Sequence, residues 1–435
     1  WRRDLPRTHR HASWAMSVAC LPWAACTPWW VASSARRARG RARSSGGVLS
    51  AVSGAWSSAS LRKLASPATP SAGGRASERR RSRLPLERPG AISDEYVLGA
   101  RLGMGGFGTV RHGVCRSTGA KVAVKQILFD RLQEPSRLDS ELSIAAEVRH
   151  PNVAKLFEVY KGPEGVHMVT ELCSGGDLFD RIMTDAPEGF EEPVAATYTK
   201  DMLSAVGYLH FRQIVHRDVK PENFLLSSQQ SGALLKLVDF GLSRRFEPGE
   251  PMHTRVGTPY YMAPEVFEQH YDELVDVWSV GVIVHACLCG SPPFTGETAV
   301  EVIRNVRRGT VDTSSPPWDS VSASAVDLVT DLLTYDPEQR PTARVALEHC
   351  WVSPSCRVDH ATPSSRGPQN SLEAGLSALQ ELSALERLAL IAAAWHLPEE
   401  ETSPLAQVFC AEAEASTDYT SWLAAAADPQ RCAQP

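Results

Sequence analysis

The chain lacks the residue spacings that cysteine-based metal sites need. Its ten cysteines include no Cys-x-x-Cys pair and no Cys/His combination at zinc-finger spacing, so the sequence predicts no structural zinc site. Cys287 and Cys289 lie in an apolar stretch, where we expect reduced and buried thiols. The cytosol or the nucleus is therefore the expected compartment of the folded part.

Acidic residues are scarce at the start of the chain. Residues 1–90 contain seventeen Lys and Arg but only three acids, although the whole chain has a net charge of −5. Residues 11–35 are uncharged, but Pro22 and Pro28 argue against a straight membrane helix there. The composition is typical of a disordered basic tail or of an N-terminal targeting segment. A role of this arm in nucleic-acid or membrane contact would rest on charge alone.

Residues 397–435 lack a usable calcium loop. An EF-hand loop needs oxygen ligands at positions 1, 3, 5 and 12 and a glycine at position 6. In the register that starts at Glu412, position 6 is Thr417 and position 12 is Leu423. This segment looks like a degenerate EF-hand remnant, and we expect no direct Ca²⁺ binding by this chain.

The residues between these two ends change periodicity near Ser174. Five strand-like runs and one helix precede it, at 97–103, 109–115, 121–128, 153–160, 166–172 and 136–149. Helical patterns dominate after it, at 193–212, 272–289, 298–307 and 322–334. The pattern predicts an α+β domain over 96–352, with a small lobe of five antiparallel strands and one helix and a large helical lobe.

A linker and a further helix follow the predicted domain. Residues 353–370 are rich in Ser, Pro, Arg and Asn, which is typical of a linker. In residues 371–396, leucines recur at three- or four-residue spacing. This spacing predicts an amphipathic helix.

The run HRDVKPEN at residues 216–223 has the residue types that phosphoryl transfer requires. Asp218 can accept a hydroxyl proton, Lys220 can neutralise γ-phosphate charge, and Asn223 can hold Mg²⁺. Asp239 begins a DFG triplet after a strand-like run and is expected to bind Mg²⁺ between the β- and γ-phosphates. Together these motifs predict a site for ATP and Mg²⁺.

Residues 103–110 read GMGGFGTV and match the pattern GxGxxGxV. Glycines let the backbone lie close over phosphates. The alternative, a dinucleotide-binding fingerprint, requires a helix directly after the glycines, whereas residues 109–115 read as a strand. We predict that ATP is bound by Leu102, Gly103, Gly105, Gly106, Phe107, Gly108, Val110, Ala123, Lys125, Thr170, Glu171, Cys173, Asp177, Glu222 and Leu225.

Lys125 ends the run VAVK on the third predicted strand. We expect it to hold the α- and β-phosphates and to pair with Glu141 on the predicted helix 136–149. Glu147 on the same helix is expected to be a solvated surface residue.

This set of motifs resembles the protein kinase superfamily over residues 96–352. The resemblance implies the bilobal kinase fold, an ion pair between Glu265 and Arg340, and an Asp276 that anchors the catalytic-loop backbone. Thr258, expected to position the substrate, and Lys220 imply Ser/Thr rather than Tyr specificity. The activation segment is then residues 239–265.

One position departs from the family pattern. The resemblance implies a bulky apolar residue four positions after Glu141, beneath Phe240, where this chain has Ala145. This departure predicts a loosened alignment of His216 with Phe240 and low basal activity.

The same resemblance implies regulatory and substrate-binding roles. Arg217 is expected to reach the activation segment, where phosphorylation of Thr254 would order the loop. Asp177 and Glu222 match the acids that recognise an Arg three residues before the acceptor Ser or Thr of protein substrates. For Asp177, binding of the ATP ribose stays open as an alternative. Thr170 matches the small gatekeeper beside the ATP site.

The chain is most similar to the calcium- and calmodulin-regulated group of kinases. Residues 169–180 (VTELCSGGDLFD) and 257–265 (GTPYYMAPE) carry that similarity. Residues 385–401 are similar to the junction helix of plant and protist calcium-dependent protein kinases, which implies an inhibitory lid. A generic packed helix, a calcium-sensor partner such as calmodulin and a pseudokinase or scaffold without catalysis stay open as alternatives.

Overall fold

The computed structural model describes residues 86–104, 108–132, 134–314 and 316–353, together with Tyr419. The interpretations made for residues 1–85, for the linker and for the helix 371–396 lie outside these residues. So does the interpretation of residues 397–435, apart from Tyr419. Three residues of the predicted ATP site, Gly105, Gly106 and Phe107, also lie outside them.

A six-stranded sheet forms the small lobe. Its strands are β1 Glu87–Arg88, β2 Tyr96–Met104, β3 Thr109–Cys115, β4 Lys121–Leu128, β5 Leu156–Lys161 and β6 Gly165–Thr170. Their order across the sheet is β1-β5-β6-β4-β3-β2, and every pair is antiparallel except β1 with β5. The predicted five antiparallel strands are β2 to β6. Strand β1, which precedes the predicted domain start at Tyr96, was not expected, because two residues carry no detectable periodicity.

The small lobe holds a four-residue helix, α1 Ile92–Glu95, and a longer one, α2 Pro135–Glu147. Proline is favoured at the first position of α2, where its missing N–H has no helical partner. Leu138, Leu142 and Ala145 are buried at three- and four-residue spacing, so they form one face of the helix. Glu141 lies on that same buried face, which brings a carboxylate into the interior of the lobe.

The large lobe consists of helices and two short antiparallel strand pairs. The helices are α3 Leu178–Thr184, α4 Glu192–Phe211, α5 Leu274–Cys289, α6 Ala299–Arg308, α7 Ala323–Leu332 and α8 Ala343–Leu347. The strands are β7 Ile214–Val215, β8 Phe224–Leu226, β9 Leu235–Leu237 and β10 Arg244–Arg245; β7 pairs with β10 and β8 with β9. Helix α5 lies at the centre, against α4 and α7.

Helix α5 is apolar on all sides because it is enclosed. Every residue from Val275 to Cys289 is buried, which is the arrangement expected of a helix without a polar face. The thiols of Cys287 and Cys289 are reduced and buried, as expected, and burial raises the pKa of Cys287 to about 12. Within the residues that the structure describes, no helix is both long and apolar enough to span a membrane.

Candidate active site

Lys125 joins the two lobes through two carboxylates. Its Nζ lies 2.6 Å from Glu141 Oε1 on α2 and 2.8 Å from Asp239 Oδ1, which follows β9. Burial alone would lower the pKa of Lys125, but the charges of Asp239 and Glu141 raise it above its ordinary value. The same contact lowers the pKa of Asp239 against the effect of its burial. Lys125 and Asp239 are therefore both charged at neutral pH.

The local backbone holds Asp239 towards Lys125. Asp239 has a φ of 63°, a left-handed conformation that is costly for a residue with a Cβ and is found at functional sites. Its Oδ1 accepts a hydrogen bond from the Gly241 N–H. The next side chain, Phe240, is buried against the ring of His216, with ring centres 5.5 Å apart. The rings of His216 and Phe240 are thus in contact, and the low basal activity expected from Ala145 stays a prediction.

Three side chains surround the carboxylate of Asp218. Lys220 Nζ lies 2.6 Å from Oδ2, Asn223 Nδ2 lies 3.3 Å from the same oxygen, and Thr258 Oγ1 donates to Oδ1 at 2.9 Å. Burial would lower the pKa of Lys220, but Asp218 raises it. A carboxylate has lone pairs beyond these contacts, so Asp218 can still accept a proton from a hydroxyl group.

The oxygen atoms of Asn223 and Asp239 fit a magnesium ion. The amide nitrogen of Asn223 donates to the Asp218 carbonyl at 2.9 Å, so its amide oxygen faces away from that bond. Asp239 uses Oδ1 for Lys125 and Gly241, and Oδ2 has no hydrogen bond within the described residues. Carboxylate and amide oxygens are the ligands that Mg²⁺ prefers.

Asp276 on α5 anchors the loop that carries Asp218. Its Oδ1 accepts from the backbone N–H of Arg217 and its Oδ2 from that of His216, both at 2.8 Å. A hydrogen bond to His210 lowers the pKa of Asp276 although burial would raise it. Gly257 lies close to this loop with a φ of 114°, and a Cβ there would meet the Arg217 carbonyl at 2.7 Å. Only glycine fits at that position.

The described part of the glycine-rich segment joins β2 to β3. Gly103 pairs with Val110 across the two strands. A Cβ on Gly108 would meet the Gln126 carbonyl at 1.9 Å, so Gly108 is required for the close approach of β3 to β4. Leu102 is exposed and Val110 half-buried. Ala123 on β4 pairs with Thr170 at the end of β6.

The segment after β6 turns the side chain of Glu171 away from the cleft. Lys236 Nζ on β9 lies 2.6 Å from Glu171 Oε1, and the Lys155 N–H donates to Oε2 at 3.2 Å. Glu171 can therefore contribute to nucleotide binding through its backbone carbonyl, and not through its carboxylate. Lys236 was not expected to contribute to the site, although a Lys inside the apolar run 234–238 is a usable signal. Cys173, also predicted to bind ATP, is half-buried just beyond.

Asp177 and Glu222 border the cleft on the side of the large lobe. Asp177 caps α3, because its Oδ1 accepts from the Asp180 N–H at 2.7 Å, and its backbone bridges to Leu225 on β8. Glu222 Oε2 is buried without a hydrogen-bond partner within the described residues. Burial raises the pKa of both carboxyl groups. Helix capping was not foreseen for Asp177.

Arg217 connects the catalytic loop to the activation segment. It donates from Nε to the Leu242 carbonyl at 2.8 Å and from Nη1 to Thr254 Oγ1 at 2.7 Å. Tyr271 also donates from its hydroxyl to the Thr254 carbonyl. The hydroxyl of Thr254 is thus next to a guanidinium group, as expected from the sequence.

The expectation that Glu147 is a solvated surface residue is wrong. Arg212 at the end of α4 lies 2.6 Å from its Oε1, and Arg245 on β10 contacts its Oε2. Burial would raise the pKa of Glu147, but these two arginines lower it. The last residue of α2 therefore ties the helix that carries Glu141 to the large lobe and the activation segment. No local pattern signals this pairing, because its partners are 65 and 98 residues away in the chain.

Glu265 and Arg340 form a buried ion pair at the end of the activation segment. Arg340 Nη1 lies 2.6 Å from Glu265 Oε1, and Nη2 lies 3.3 Å from Oε2. Arg340 also donates to the backbone carbonyls of Thr334, Leu274 and Tyr335. The bidentate geometry and the additional bonds are those of a structural pair.

Known proteins match the sequence that forms this site. The family described as "Protein kinase domain" matches residues 96–352. The chain is 38% identical over 322 residues to calcium-dependent protein kinase 14 of Arabidopsis thaliana, covering 73% of this chain and 59% of the relative. It is 40% identical over 326 residues to calcium-dependent protein kinase 10 of Oryza sativa subsp. japonica (73% and 53%). It is 38% identical over 350 residues to calcium-dependent protein kinase 24 of Oryza sativa subsp. japonica, covering 80% of this chain and 66% of the relative. The chain thus spans between about half and two thirds of the length of these curated relatives.

Proposed function

Because this chain belongs to the protein kinase family, we propose that it transfers the γ-phosphoryl group of ATP to Ser or Thr hydroxyls of protein substrates. The observation that carries the proposal is the convergence of five side chains in one cleft. They are Lys125, Glu141, Asp218, Asn223 and Asp239. Each has the chemistry that its step requires, and they come from separate elements of both lobes.

The chemistry follows from the contacts of these residues. Asp218 orients the acceptor hydroxyl and takes its proton while the hydroxyl oxygen forms a bond to the γ-phosphorus. The bond between that phosphorus and the oxygen bridging to the β-phosphate breaks, and ADP leaves with the electron pair. Lys125 binds the non-reacting phosphates and Lys220 neutralises charge on the transferred group. Thr258 keeps Asp218 in place through its hydrogen bond to Oδ1.

Asn223 and Asp239 would hold Mg²⁺, whose charge stabilises the phosphate oxygens when it is bound. Glu141 keeps Lys125 directed into the cleft. The ion pair between Lys125 and Glu141 therefore sets the position of the Lys125 ammonium group and contributes to the net charge of the site.

The experiment is transfer of radiolabelled phosphate from ATP to a Ser peptide with an upstream Arg, using the full chain. We expect transfer that Asp218→Asn abolishes. Binding of Mg-ATP without any transfer would instead support the alternative of a scaffold with a kinase fold. An exposed residue of α2, Asp139, supplies the matched control Asp139→Asn, which should retain transfer.

We propose that the substrate carries an Arg three residues before its acceptor. The buried Oε2 of Glu222 has no hydrogen-bond partner among the residues that the structure describes. This supports the proposal, because a buried carboxylate oxygen without a partner is costly unless a donor arrives. Asp177 supplies a second carboxylate, whose Oδ1 is already used as a helix cap. Peptides with Arg or Ala at that position measure the preference. Equal phosphorylation of the two would exclude it.

We propose that phosphorylation of Thr254 orders the activation segment. A phosphate there would gain a charge-assisted bond from Arg217, whose Nη1 already contacts the hydroxyl. We expect an activating kinase to raise the activity of the native chain and not that of Thr254→Ala. Equal activation of both would refute the role.

We also propose that the predicted helix 371–396 lowers activity by occupying the substrate site. Its support is the similarity to junction helices in the sequence. A version ending at residue 360 should then be more active than the full chain. Adding Ca²⁺ with and without calmodulin tests whether a calcium sensor relieves the inhibition. Equal activity of the full chain and of the version ending at residue 360 would contradict the inhibitory role of the helix.

A further inference from the structure

Two arginines share one aromatic ring at the end of the activation segment. The guanidinium carbon of Arg255 lies 4.8 Å from the centre of the Phe267 ring, and that of Arg307 on α6 lies 5.8 Å from it. Phe267 is buried in the turn Pro264–Glu268, whereas both arginine side chains are exposed. The three residues form one patch, here called the arginine patch, with two positive charges on a single apolar anchor.

The two positive charges of the arginine patch are not paired within the described residues. Neither Arg255 nor Arg307 forms an ion pair or hydrogen bond there, and Glu268 beside Phe267 bonds to neither. Stacking on the ring stabilises each cation, but two like charges on one ring repel each other. The dipole of α6 favours a cation in its last turn, which accounts for Arg307 but not for Arg255. An anion bound between the two would relieve the repulsion.

The patch lies within reach of a substrate bound at Asp218. Arg255 precedes Thr258 by three residues, so their Cα atoms are at most about 11 Å apart. Thr258 Oγ1 is 2.9 Å from Asp218 Oδ1. An extended peptide covers about 3.3 Å per residue, so a residue a few positions from the acceptor can reach the patch.

Charge indicates whether the substrate residue that reaches the arginine patch lies before or after the acceptor. An Arg before the acceptor is attracted by Asp177 and Glu222 and repelled by Arg255 and Arg307. The residues that follow the acceptor are therefore those that can reach the arginine patch. A single acidic side chain of the substrate supplies the missing anion.

We propose that Arg255 and Arg307 bind an Asp or Glu of the protein substrate, one to four residues after the acceptor hydroxyl. This specificity rests on the proposed kinase function and adds to it a second charge requirement. The preferred substrate then has a basic residue before the acceptor and an acidic residue after it.

The test uses the full chain and a peptide series with a constant upstream Arg. One peptide has Ala at every position after the acceptor, and the others have Glu at one of the first four. We measure kcat/KM for each, and by fluorescence anisotropy the Kd of matching peptides whose acceptor is Ala. Exposed ion pairs are modest, so we expect one Glu position to improve both by about fivefold. The gain should shrink in about 0.5 M salt.

Variants of the patch tie this gain to its residues. In Arg255→Ala and in Arg307→Ala, the ratio of kcat/KM for the Glu peptide to kcat/KM for the Ala peptide should fall to near one. Arg307→Lys keeps the charge and should keep a ratio above one, whereas Arg307→Glu should favour Lys at the same peptide position. Arg344→Ala, which removes an exposed arginine of α8, is the charge-matched control and should keep the full ratio.

The proposed kinase function and the proposed role of the arginine patch would be overturned by different results. Transfer to all peptides with equal kcat/KM and equal Kd would overturn the arginine patch and leave the kinase function standing. Absence of transfer from every peptide, with the Glu peptide still bound more tightly, would overturn the kinase function and support the patch. A ratio that Arg307→Glu does not change would also overturn the patch.

Discussion

The two ionic clusters at the ends of the activation segment are built differently. Arg340 is fully enclosed, with 0% of its side chain exposed. Both of its terminal nitrogens contact Glu265, and its guanidinium group also donates to three backbone carbonyls. Lys125 contacts Glu141 and Asp239 but is 17% exposed, and Asp239 is 36% exposed. The first cluster lies within one lobe, and the second connects both.

This difference separates a structural pair from a functional one. A buried charge is costly unless its hydrogen bonds are complete, and Arg340 meets that condition without any ligand. The Lys125 cluster leaves one oxygen of Asp239 without a hydrogen bond within the described residues, and it joins elements of both lobes. A site that must share its charge with phosphates and a metal ion requires such an incomplete cluster.

The largest effect on activity is expected from Asp239→Asn. Removing the negative charge should lower the rate of phosphoryl transfer by about a thousandfold, because the ligand for Mg²⁺ is weakened. The amide can still accept from Lys125, so the free energy of unfolding should change by less than about 1 kcal/mol. Transfer assays and urea unfolding measure the two quantities. A large loss of stability would show that this cluster is as structural as the Arg340 pair.

Glu265→Ala should have the opposite profile. Leaving Arg340 buried without its carboxylate should lower the free energy of unfolding by about 3–5 kcal/mol. Glu268→Ala on the same turn removes an exposed carboxylate and should change it by less than about 0.5 kcal/mol. Urea unfolding of both variants makes the comparison. Similar stabilities would mean that the buried pair contributes little to the fold.

Glu147→Gln tests whether the end of α2 helps to position Glu141. Without the ion pairs to Arg212 and Arg245, α2 is held less firmly, and we expect kcat to fall about tenfold. Asp139→Asn on the same helix should leave kcat unchanged. Arg245→Gln combined with Glu147→Gln should cost less than the sum of the single effects, since the two residues are in contact. Additive losses would exclude coupling through this pair.

The smallest expected effect is on the pH dependence of substrate choice. Burial raises the pKa of Glu222 and Asp177, so these carboxylates take up protons at higher pH than exposed ones do. The protonated forms cannot pair with an Arg, so the preference for the upstream Arg peptide over its Ala counterpart should decrease as pH falls from about 8 to about 5.

The ratio of kcat/KM for the two peptides measures this preference and cancels effects on the shared chemistry. Glu222→Gln should give a smaller ratio with a weaker pH dependence. A ratio that stays constant over the whole pH range would contradict the role of these carboxylates.

Most of the fold could be predicted from local patterns. The expected α+β bilobal kinase fold, the membership in the protein kinase family and the similarity to calcium-dependent protein kinases are all confirmed. Strands β3 and β4 begin and end where the alternation of apolar residues predicted. Strand β1 was missed because pairing with β5, and not its own sequence, makes it a strand. The roles of the individual site residues stay predictions, although the structure places the described ones around one cleft.

The sequence by itself determined which chemical groups are present and in what order, because motif spacing and periodicity are local properties of the chain. Only the tertiary structure decided which charges meet. Lys236 turns the Glu171 carboxylate away from the cleft, Glu147 ties α2 to the large lobe, and Arg255 meets Arg307 over one ring. Each pairing joins residues that are distant in the chain. The segments that carry them come together because their apolar residues are buried, and this places the charges next to one another.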